Sequence, residues 1–375
     1  MTTLMQAHRQ WMSRAPDERF TSLLEMQQFK RSVRENSRSQ VVSSRGLTLR
    51  PISEDDPKET GLALTGYGCN DLTGSAMTHW SFGQLCSLAS PGNSPASYFR
   101  EARIPAPMIA DCLNYNLRFT RGIEDVGVLV TRDGHASELR SVNGPNYGRV
   151  YDADVVDALV DRFGDGVTGT WRVPGEFGRR VTVDKQNTTL YASDRDTFVF
   201  LADEENRIEI AGRRAGQHGS FARGFFVGNS EVGKSSLFAG FFLFDYVCCN
   251  RIIWGADQYT EVRIRHTKGA PDRWLEEVTP VLNEYSQGSA KPVVQAIGDA
   301  RNKRIDDELT TFLAKRFGKQ MAPAIAAIHE TEEGRPIETL WDATVAATAH
   351  ARSVQNTDKR LEIERAAGQL LKLAA

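Results

Sequence analysis

The chain has 375 residues, of which 40% are hydrophobic, 25% charged and 9% aromatic. This is the composition of an ordinary globular protein and excludes a wholly disordered, collagen-like or coiled-coil chain. The net charge of −2 provides no overall basic field, so binding to nucleic acid or to an anionic membrane requires a local patch. The cysteines form no CxxC pair and the histidines no HExxH motif. We therefore expect a reduced, cytoplasmic protein with no metal site, cofactor or membrane span.

Residues 1–74 are predicted to form a basic N-terminal arm followed by a linker. Arginine and lysine recur between Lys30 and Arg50, first in a helical pattern and then, from Ser37, in an extended one. Residues 51–74 are rich in proline, glycine and acidic side chains, as linkers and turns are. A solvated arm is favoured over an arm that contacts phosphates.

Residues 75–269 are predicted to form a central α+β domain. Helical spacing is found in THWSFGQLCSLASPG, IPAPMIADCLNYNLRF and YDADVVDALVDRF, and an Asp-Gly turn within DVGVLVTRDGHASELRSV predicts a hairpin. From residue 169 onward, short β-branched and aromatic runs separated by turn residues predict a mainly antiparallel sheet.

Residues 270–375 are predicted to form a helical C-terminal region. Five segments there have helical spacing, and there is little strand signal; they are DRWLEEVTPVLNEY, DDELTTFLAKRF, PAIAAIHE, ETLWDATVAATAHA and DKRLEIERAAGQLLKL. The fold class is therefore α+β, with a mainly antiparallel central sheet, flanking helices and a helical C-terminal region.

Residues 228–235 match the GxxxxGK[ST] phosphate loop, with Gly228, Gly233, Lys234 and Ser235 at its fixed positions. A phosphate loop must open into a helix, but the next residues, SSLFAGFFLFDYV, are typical of a buried strand. A later apolar strand ending in aspartate, which would hold magnesium, is also missing. The favoured interpretation is a hairpin turn in which Asn229, Ser230, Glu231 and Gly233 are structural, with Glu231 accepting hydrogen bonds from turn amides.

Four runs of the central region carry a shared set of features: TTLYASDRDTFVFLADEENRIEI, ARGFFVGNSEVGKSSL, FLFDYVCCNRIIWGA and VRIRHTKGAPDRWLEEV. They resemble a phage- and plasmid-borne protein family of unknown function called DUF nine-three-two. The similar features are the turn at 229–233, the Val-Cys-x-Asn element at 247–250 and the Arg-x-x-His step from Arg263 to His266. The resemblance covers roughly residues 75–290 and does not extend to Lys234. It implies a role in mobile-element DNA metabolism, with a further analogy to single-strand annealing proteins.

Two basic clusters lie in the predicted sheet, and we expect them to bind single-stranded DNA phosphates. The candidate residues are Arg207, Arg213, Arg214, Arg223, Arg263, Arg265 and Lys268. Gly212, Gly216, Gly219 and Gly224 would allow close approach to a phosphate backbone. Phe221, Trp254 and Tyr259 would stack on bases. A solvated hairpin with aromatic core residues explains the same pattern equally well.

The leading hypothesis is a non-catalytic phage or plasmid protein in the bacterial cytoplasm, acting on single-stranded DNA as a homo-oligomer. The alternative is a nucleotide-hydrolysing enzyme that uses Gly228, Gly233, Lys234 and Ser235. A third possibility is a scaffold whose basic clusters only keep it soluble.

Overall fold

The α+β class is confirmed by a computed structural model that describes residues 18–53, 61–65, 74–102, 104–119, 125–134, 136–174, 183–214, 217–245, 250–254 and 261–374. The helices are α1 (Leu23–Glu35), α2 (His79–Ala89), α3 (Ala96–Glu101), α4 (Ala106–Phe119), α5 (Asp152–Phe163), α6 (Ala270–Gln287), α7 (Lys291–Asn302), α8 (Leu309–Phe317), α9 (Ala322–Glu333), α10 (Leu340–Arg352) and α11 (Thr357–Lys372). Within these described segments, none of the helices has the length and apolar content that a membrane span needs.

The strands are β1 (Arg19–Phe20), β2 (Ser37–Ser43), β3 (Leu49–Pro51), β4 (Leu62–Leu64), β5 (Ser75–Met77), β6 (Asp125–Asp133), β7 (Ala136–Asn143), β8 (Trp171–Arg172), β9 (Leu190–Ala192), β10 (Thr197–Asp203), β11 (Ile208–Arg214), β12 (Gln217–Asn229), β13 (Leu237–Asp245), β14 (Asn250–Trp254) and β15 (Val262–Ile264). They form two separate sheets where the sequence predicted one.

The first sheet has six strands in the order β2-β6-β7-β5-β4-β3. All neighbours are antiparallel except β5 and β7, which run parallel. Alternate residues of β6, among them Val126, Val128 and Val130, are buried against α2 and α4, in a core that includes Phe82 and Leu113. The period-two spacing of these three valines is what one packed face of a sheet requires.

The second sheet has nine strands, with β9, β10, β12, β13 and β14 adjacent in its main path. Every residue of β13 is buried, because both faces of the sheet are covered. Phe241 belongs to the core shared with α1, α5 and α6, whereas Phe238 and Phe242 belong to an aromatic core on the opposite face, where Leu361 of α11 packs. The sequence favours a core role for six phenylalanines of β12 and β13, and the structure places all six in the core: Phe225, Phe226, Phe238, Phe241, Phe242 and Phe244.

The helical region predicted from residue 270 onward is present as α6–α11. On α6, Tyr285 stacks on Phe241 with the ring centroids 4.1 Å apart, which ties this helix to the large sheet. Helices α10 and α11 pack together and onto β14. The sequence did not predict the short helix α3 or helix α7. In the run VVQAIGD within α7 it indicated only a strand, for which the pattern is poor.

The N-terminal part of the chain is packed into both sheets, whereas the sequence predicted a separate arm and linker. The helix predicted before Arg34 is present as α1, and Leu23 and Met26 are fully buried in the core of the large sheet. The extended basic segment becomes β2, an edge strand paired with β6. Leu62–Leu64, predicted to be linker, is a buried strand of the first sheet. Tertiary packing has overridden the local turn composition.

Three glycines of β12 and β13 each lie opposite a phenylalanine of the neighbouring strand: the pairs are Gly224–Phe242, Phe226–Gly240 and Gly228–Phe238. In each pair the ring occupies the space where a glycine Cβ would be; at Gly228 that atom would lie 2.2 Å from Phe238 Cζ. The prediction that Gly224 allows close approach to phosphates is therefore wrong, because the Phe242 ring covers it.

Gly228→Ala is expected to lower the free energy of unfolding by about 1–3 kcal/mol, because the Phe238 ring must move within a packed aromatic core. Gly298→Ala is the matched control: Gly298 lies within α7 and a Cβ there would contact nothing within 4 Å. That control is expected to gain about 0.5–1 kcal/mol from helix propensity. Urea denaturation of both variants measures the difference, and equal stability would refute the packing role of Gly228.

Candidate functional site

Residues 228–235 connect two antiparallel strands, as the hairpin interpretation expects. Gly228 is still paired with Phe238, so the motif begins inside the ladder of β12 and β13. The chain reverses through Gly233, whose φ of +90° is a conformation that favours glycine. After Ser235 the chain enters β13. Since residues 217–245 are all described, this segment lacks the helix that a phosphate loop needs.

Lys234 is held by two carboxylates. Its Nζ lies 2.5 Å from Asp196 Oδ2 and 2.7 Å from Asp358 Oδ2, and its side chain is only 13% exposed. Asp358 belongs to α11, so the lysine connects the turn to the C-terminal helices. Its backbone amide donates to Ser230 Oγ at 2.9 Å. The predicted alternative, a nucleotide site at Gly228, Gly233, Lys234 and Ser235, therefore lacks phosphate-loop geometry.

Glu231 lies at the centre of a buried polar cluster. Arg140 of β7 forms an ion pair with its carboxylate, and Arg149 donates to its backbone oxygen. Its Oε2 accepts the backbone amide of Asp152 at 3.1 Å, so the prediction that Glu231 bonds turn amides is wrong about the partner. Burial alone raises the pKa of Glu231, but the charges of Arg140 and Lys30 bring it down to about 2. Glu231 is therefore ionised at neutral pH.

Asp152, the first residue of α5, is the second buried acid of this cluster. Its Oδ2 lies 2.8 Å from Lys30 Nζ, and both side chains are 1% exposed. The hydroxyl of Thr197 donates to Oδ2 and the amide of Asn229 donates to Oδ1, each at 2.8 Å. Burial raises the pKa of Asp152, while the charge of Lys30 opposes this effect. Each buried charge thus has a partner, as low-dielectric surroundings require.

The turn also binds the first sheet and its helix. Three side chains donate to the backbone oxygen of Val232: Trp80 Nε1 at 3.1 Å, Gln84 Nε2 at 2.9 Å and Asn143 Nδ2 at 3.1 Å. Trp80 and Gln84 are on α2, and Asn143 ends β7. The turn at 229–233 therefore connects the two sheets, which gives the predicted structural turn a specific role.

Sequence reasoning missed the other members of the cluster, namely Lys30, Arg140, Arg149 and Asp152. Lys30 and Glu231 lie far along the chain from Arg140, Arg149 and Asp152, and no spacing connects the three places. One signal was present, since Arg140 lies within a strand pattern that ends a predicted hairpin. A charged residue in such a position calls for a partner, although the sequence does not identify Glu231 as that partner.

Arg223 is not available for phosphate contact. It is 7% exposed in the middle of β12, and its Nη2 lies 3.6 Å from Asp203 Oδ2. Its Nη1 donates to the backbone oxygen of Gly288 after α6. The prediction for Arg223 is therefore wrong, because the side chain points to neighbouring elements of the same chain. Phe221, predicted to stack on bases, is fully buried against Trp341.

Three other candidate arginines lie on the hairpin of β11 and β12. Arg207 is exposed just before β11 and forms an ion pair with Glu204 at 2.5 Å. Arg213 and Arg214 are the last residues of β11, where Arg214 pairs with Gln217 in the backbone ladder. Their side chains lie outside the described part of the structure. The hairpin thus brings these three arginines onto one ribbon.

The remaining candidates, Arg263, Arg265 and Lys268, are exposed on and after β15. Arg263 lies 2.7 Å from Glu261 and over the ring of Phe238. Strand β15 pairs with the start of β13, whereas the β11–β12 hairpin adjoins its end at Asp245. At about 3.4 Å per residue, the length of β13 separates the two clusters by roughly 24 Å. The structure does not combine them into one site.

Some predicted elements cannot be placed. Val247, Cys248 and Cys249 of the Val-Cys-x-Asn element lie outside the described residues, as do Tyr259 and the side chain of Trp254. Within the part of the chain that is described, no group of three or more histidine, cysteine or acidic side chains is arranged to hold a metal ion.

Comparison of the chain with protein families, with curated proteins and with solved structures finds no match.

Proposed function

We propose that this protein binds single-stranded DNA without catalysing a reaction, and that it serves strand annealing in the DNA metabolism of a phage or plasmid. The proposal includes the bacterial cytoplasm as its location and a homo-oligomer as its working form. The observation that carries it is the two-stranded β11–β12 ribbon with basic residues at its base and its tip, which we call the basic ribbon (Arg207–Phe221).

The basic ribbon extends beyond the edge of the large sheet, because the first residues of β12 pair with β11 before pairing with β13 begins. Gln217 pairs only with β11 among the described residues, and pairing of β12 with β13 begins at Phe221. Ile208 at its base is 6% exposed and belongs to the core formed with the C-terminal helices. The base of the ribbon is therefore anchored, while its tip carries Arg213 and Arg214. Two-stranded ribbons are an established way of presenting basic side chains to nucleic acid.

The charge balance of the ribbon favours an anionic partner. The ion pair of Arg207 with Glu204 is near the surface, with the arginine 34% exposed. Ion pairs near the surface contribute little stability, so a phosphate competes with Glu204 for Arg207. Glu209 is the one acidic residue between Arg207 and Phe221. Arg265 and Lys268 would supply a second, separate phosphate contact.

The test is fluorescence anisotropy with a dye-labelled 30-nucleotide oligo-dT across a series of KCl concentrations. The wild-type chain is expected to bind with an affinity that falls as salt rises. Arg213→Ala/Arg214→Ala is expected to bind at least about tenfold more weakly and to lose about 1.4 units of the log–log salt slope, or ~0.7 per phosphate contact.

The matched control is Lys303→Ala/Arg304→Ala, which removes two exposed positive charges after α7. Arg304 is 76% exposed and paired with Glu338, so this variant is expected to keep both the affinity and the slope of the wild type. No binding at low salt, or equal losses in the two double variants, would refute the ribbon as the DNA-binding element.

A further inference from the structure

A cavity of about 590 Å³ lies beside the 229–233 turn, at the opposite end of β12 from the basic ribbon. It is lined by α2, by α3, by the start of β6 and by the end of β7. Trp80, Leu88, Val126 and Val142 contribute aromatic and aliphatic lining. This volume and this mostly apolar lining are typical of sites for small organic molecules.

One cationic side chain, Arg100 of α3, lines this cavity. It lies over the ring of Phe82, 5.1 Å from the centroid, and its Nη2 donates to the backbone oxygen of His79 at 2.7 Å. Its Nε is buried without a hydrogen-bond partner. Across the described part of the chain, no carboxylate forms an ion pair with Arg100. A guanidinium stays protonated in proteins, so a positive charge without a counterion borders the cavity.

The amide and indole groups of the lining are already engaged. Trp80 Nε1, Gln84 Nε2 and Asn143 Nδ2 all donate to Val232 O, and Gln84 Oε1 accepts the amide of Val142 at 2.9 Å. These groups hold the turn and have no need of a ligand. Arg100 is different, because its charge has no carboxylate partner among the described residues. An anionic ligand would supply the counterion that this partly buried charge lacks among the described residues.

We propose that this cavity is a binding site for a small anion with a flat apolar body. The carboxylate, sulfonate or phosphate of the ligand pairs with Arg100, and its body packs against Trp80, Leu88 and Val142. The site is independent of DNA binding, because its residues lie on other elements than the basic ribbon does.

The test uses two fluorescent probes that differ by one charged group. The first is 1-anilinonaphthalene-8-sulfonate, and the second is its neutral counterpart N-phenyl-1-naphthylamine. The full-length wild-type chain is expected to bind the sulfonate saturably and more tightly than the neutral probe. Arg100→Gln is expected to weaken sulfonate binding at least about tenfold, as loss of a charge-assisted hydrogen bond implies, and to leave the neutral probe unaffected.

Two further variants keep the test decisive. Ser87 is exposed and lines the cavity, so Ser87→Trp is expected to exclude both probes without disturbing the core. Tyr115→Ser removes an aromatic side chain that is 67% exposed on α4, outside the cavity, and is expected to change neither affinity. Equal binding of the two probes, unchanged sulfonate affinity in Arg100→Gln, or loss of binding in Tyr115→Ser would overturn the proposal.

Discussion

Replacing Glu231 with glutamine is expected to lower the free energy of unfolding by about 3–5 kcal/mol. The carboxylate is 4% exposed and forms the ion pair of Arg140, which is equally buried. Glutamine retains the size of the side chain and can still accept the amide of Asp152, but it leaves the Arg140 charge uncompensated. Breaking one half of a buried ion pair costs far more than removing both halves. Urea denaturation followed by tryptophan fluorescence measures the loss.

The matched control for this variant is Glu338→Gln. Glu338 also pairs with an arginine, Arg304, but the two side chains are 53% and 76% exposed. Solvent screens such a pair, so this change is expected to stay within about 0.5 kcal/mol of the wild type. If Glu231→Gln were as mild as Glu338→Gln, the buried cluster would not hold the two sheets together.

Acidification is expected to destabilise the protein through Glu231. Its pKa is about 2 in the folded chain against an ordinary value of 4.5. A carboxyl group whose pKa is lower in the folded than in the unfolded chain contributes stability above its unfolded pKa and loses it as the pH falls towards its folded pKa. The contribution of Glu231 is therefore complete above pH 4.5 and disappears between pH 4.5 and about 2. Asp152 acts in the opposite direction, because burial raises its pKa.

Comparison of the wild type with Glu231→Gln isolates this effect. The difference between their free energies of unfolding is expected to be constant above about pH 5 and to shrink steadily below it. Urea titrations at a series of pH values from neutral to acidic measure this difference. A gap that stays constant down to about pH 2.5 would show that folding does not lower the pKa of Glu231.

Local pattern was sufficient for much of the fold. The helices at His79–Ala89, Ala106–Phe119 and Asp152–Phe163 follow from helical spacing, and the β6–β7 hairpin follows from its Asp-Gly turn. The strand after Ser235 follows from its aromatic and glycine content. In each case the residues that decide the structure are neighbours along the chain, which is what period and propensity describe.

Less of the candidate site could be predicted from the sequence, because its contacts join segments that are far apart along the chain. Lys30 and Asp152, or Arg140 and Glu231, meet only once both sheets exist. The burial of Arg223 likewise depends on Asp203 and on the end of α6. The predicted set of DNA-binding residues therefore combined exposed side chains with Arg223, which is buried and structural. Charge alone does not distinguish a solvated arginine from a buried and paired one.

The same limit applies to the phosphate-loop motif. Its glycines, lysine and serine satisfy the pattern, but Gly228 accommodates the ring of Phe238, and Lys234 binds Asp196 and Asp358. Gly228 and Lys234 thus each have a structural reason that involves a partner outside the motif. The motif therefore connects the two sheets with each other and with the C-terminal helices.

The most direct test of this account is a calorimetric titration of ATP and GTP, each with magnesium, into the wild-type chain and into Lys234→Met. We expect no saturable nucleotide binding by either protein. We also expect a lower unfolding midpoint for Lys234→Met, because Asp196, 1% exposed, loses its cation. Saturable binding by the wild type that disappears in Lys234→Met would contradict the structural role of the turn.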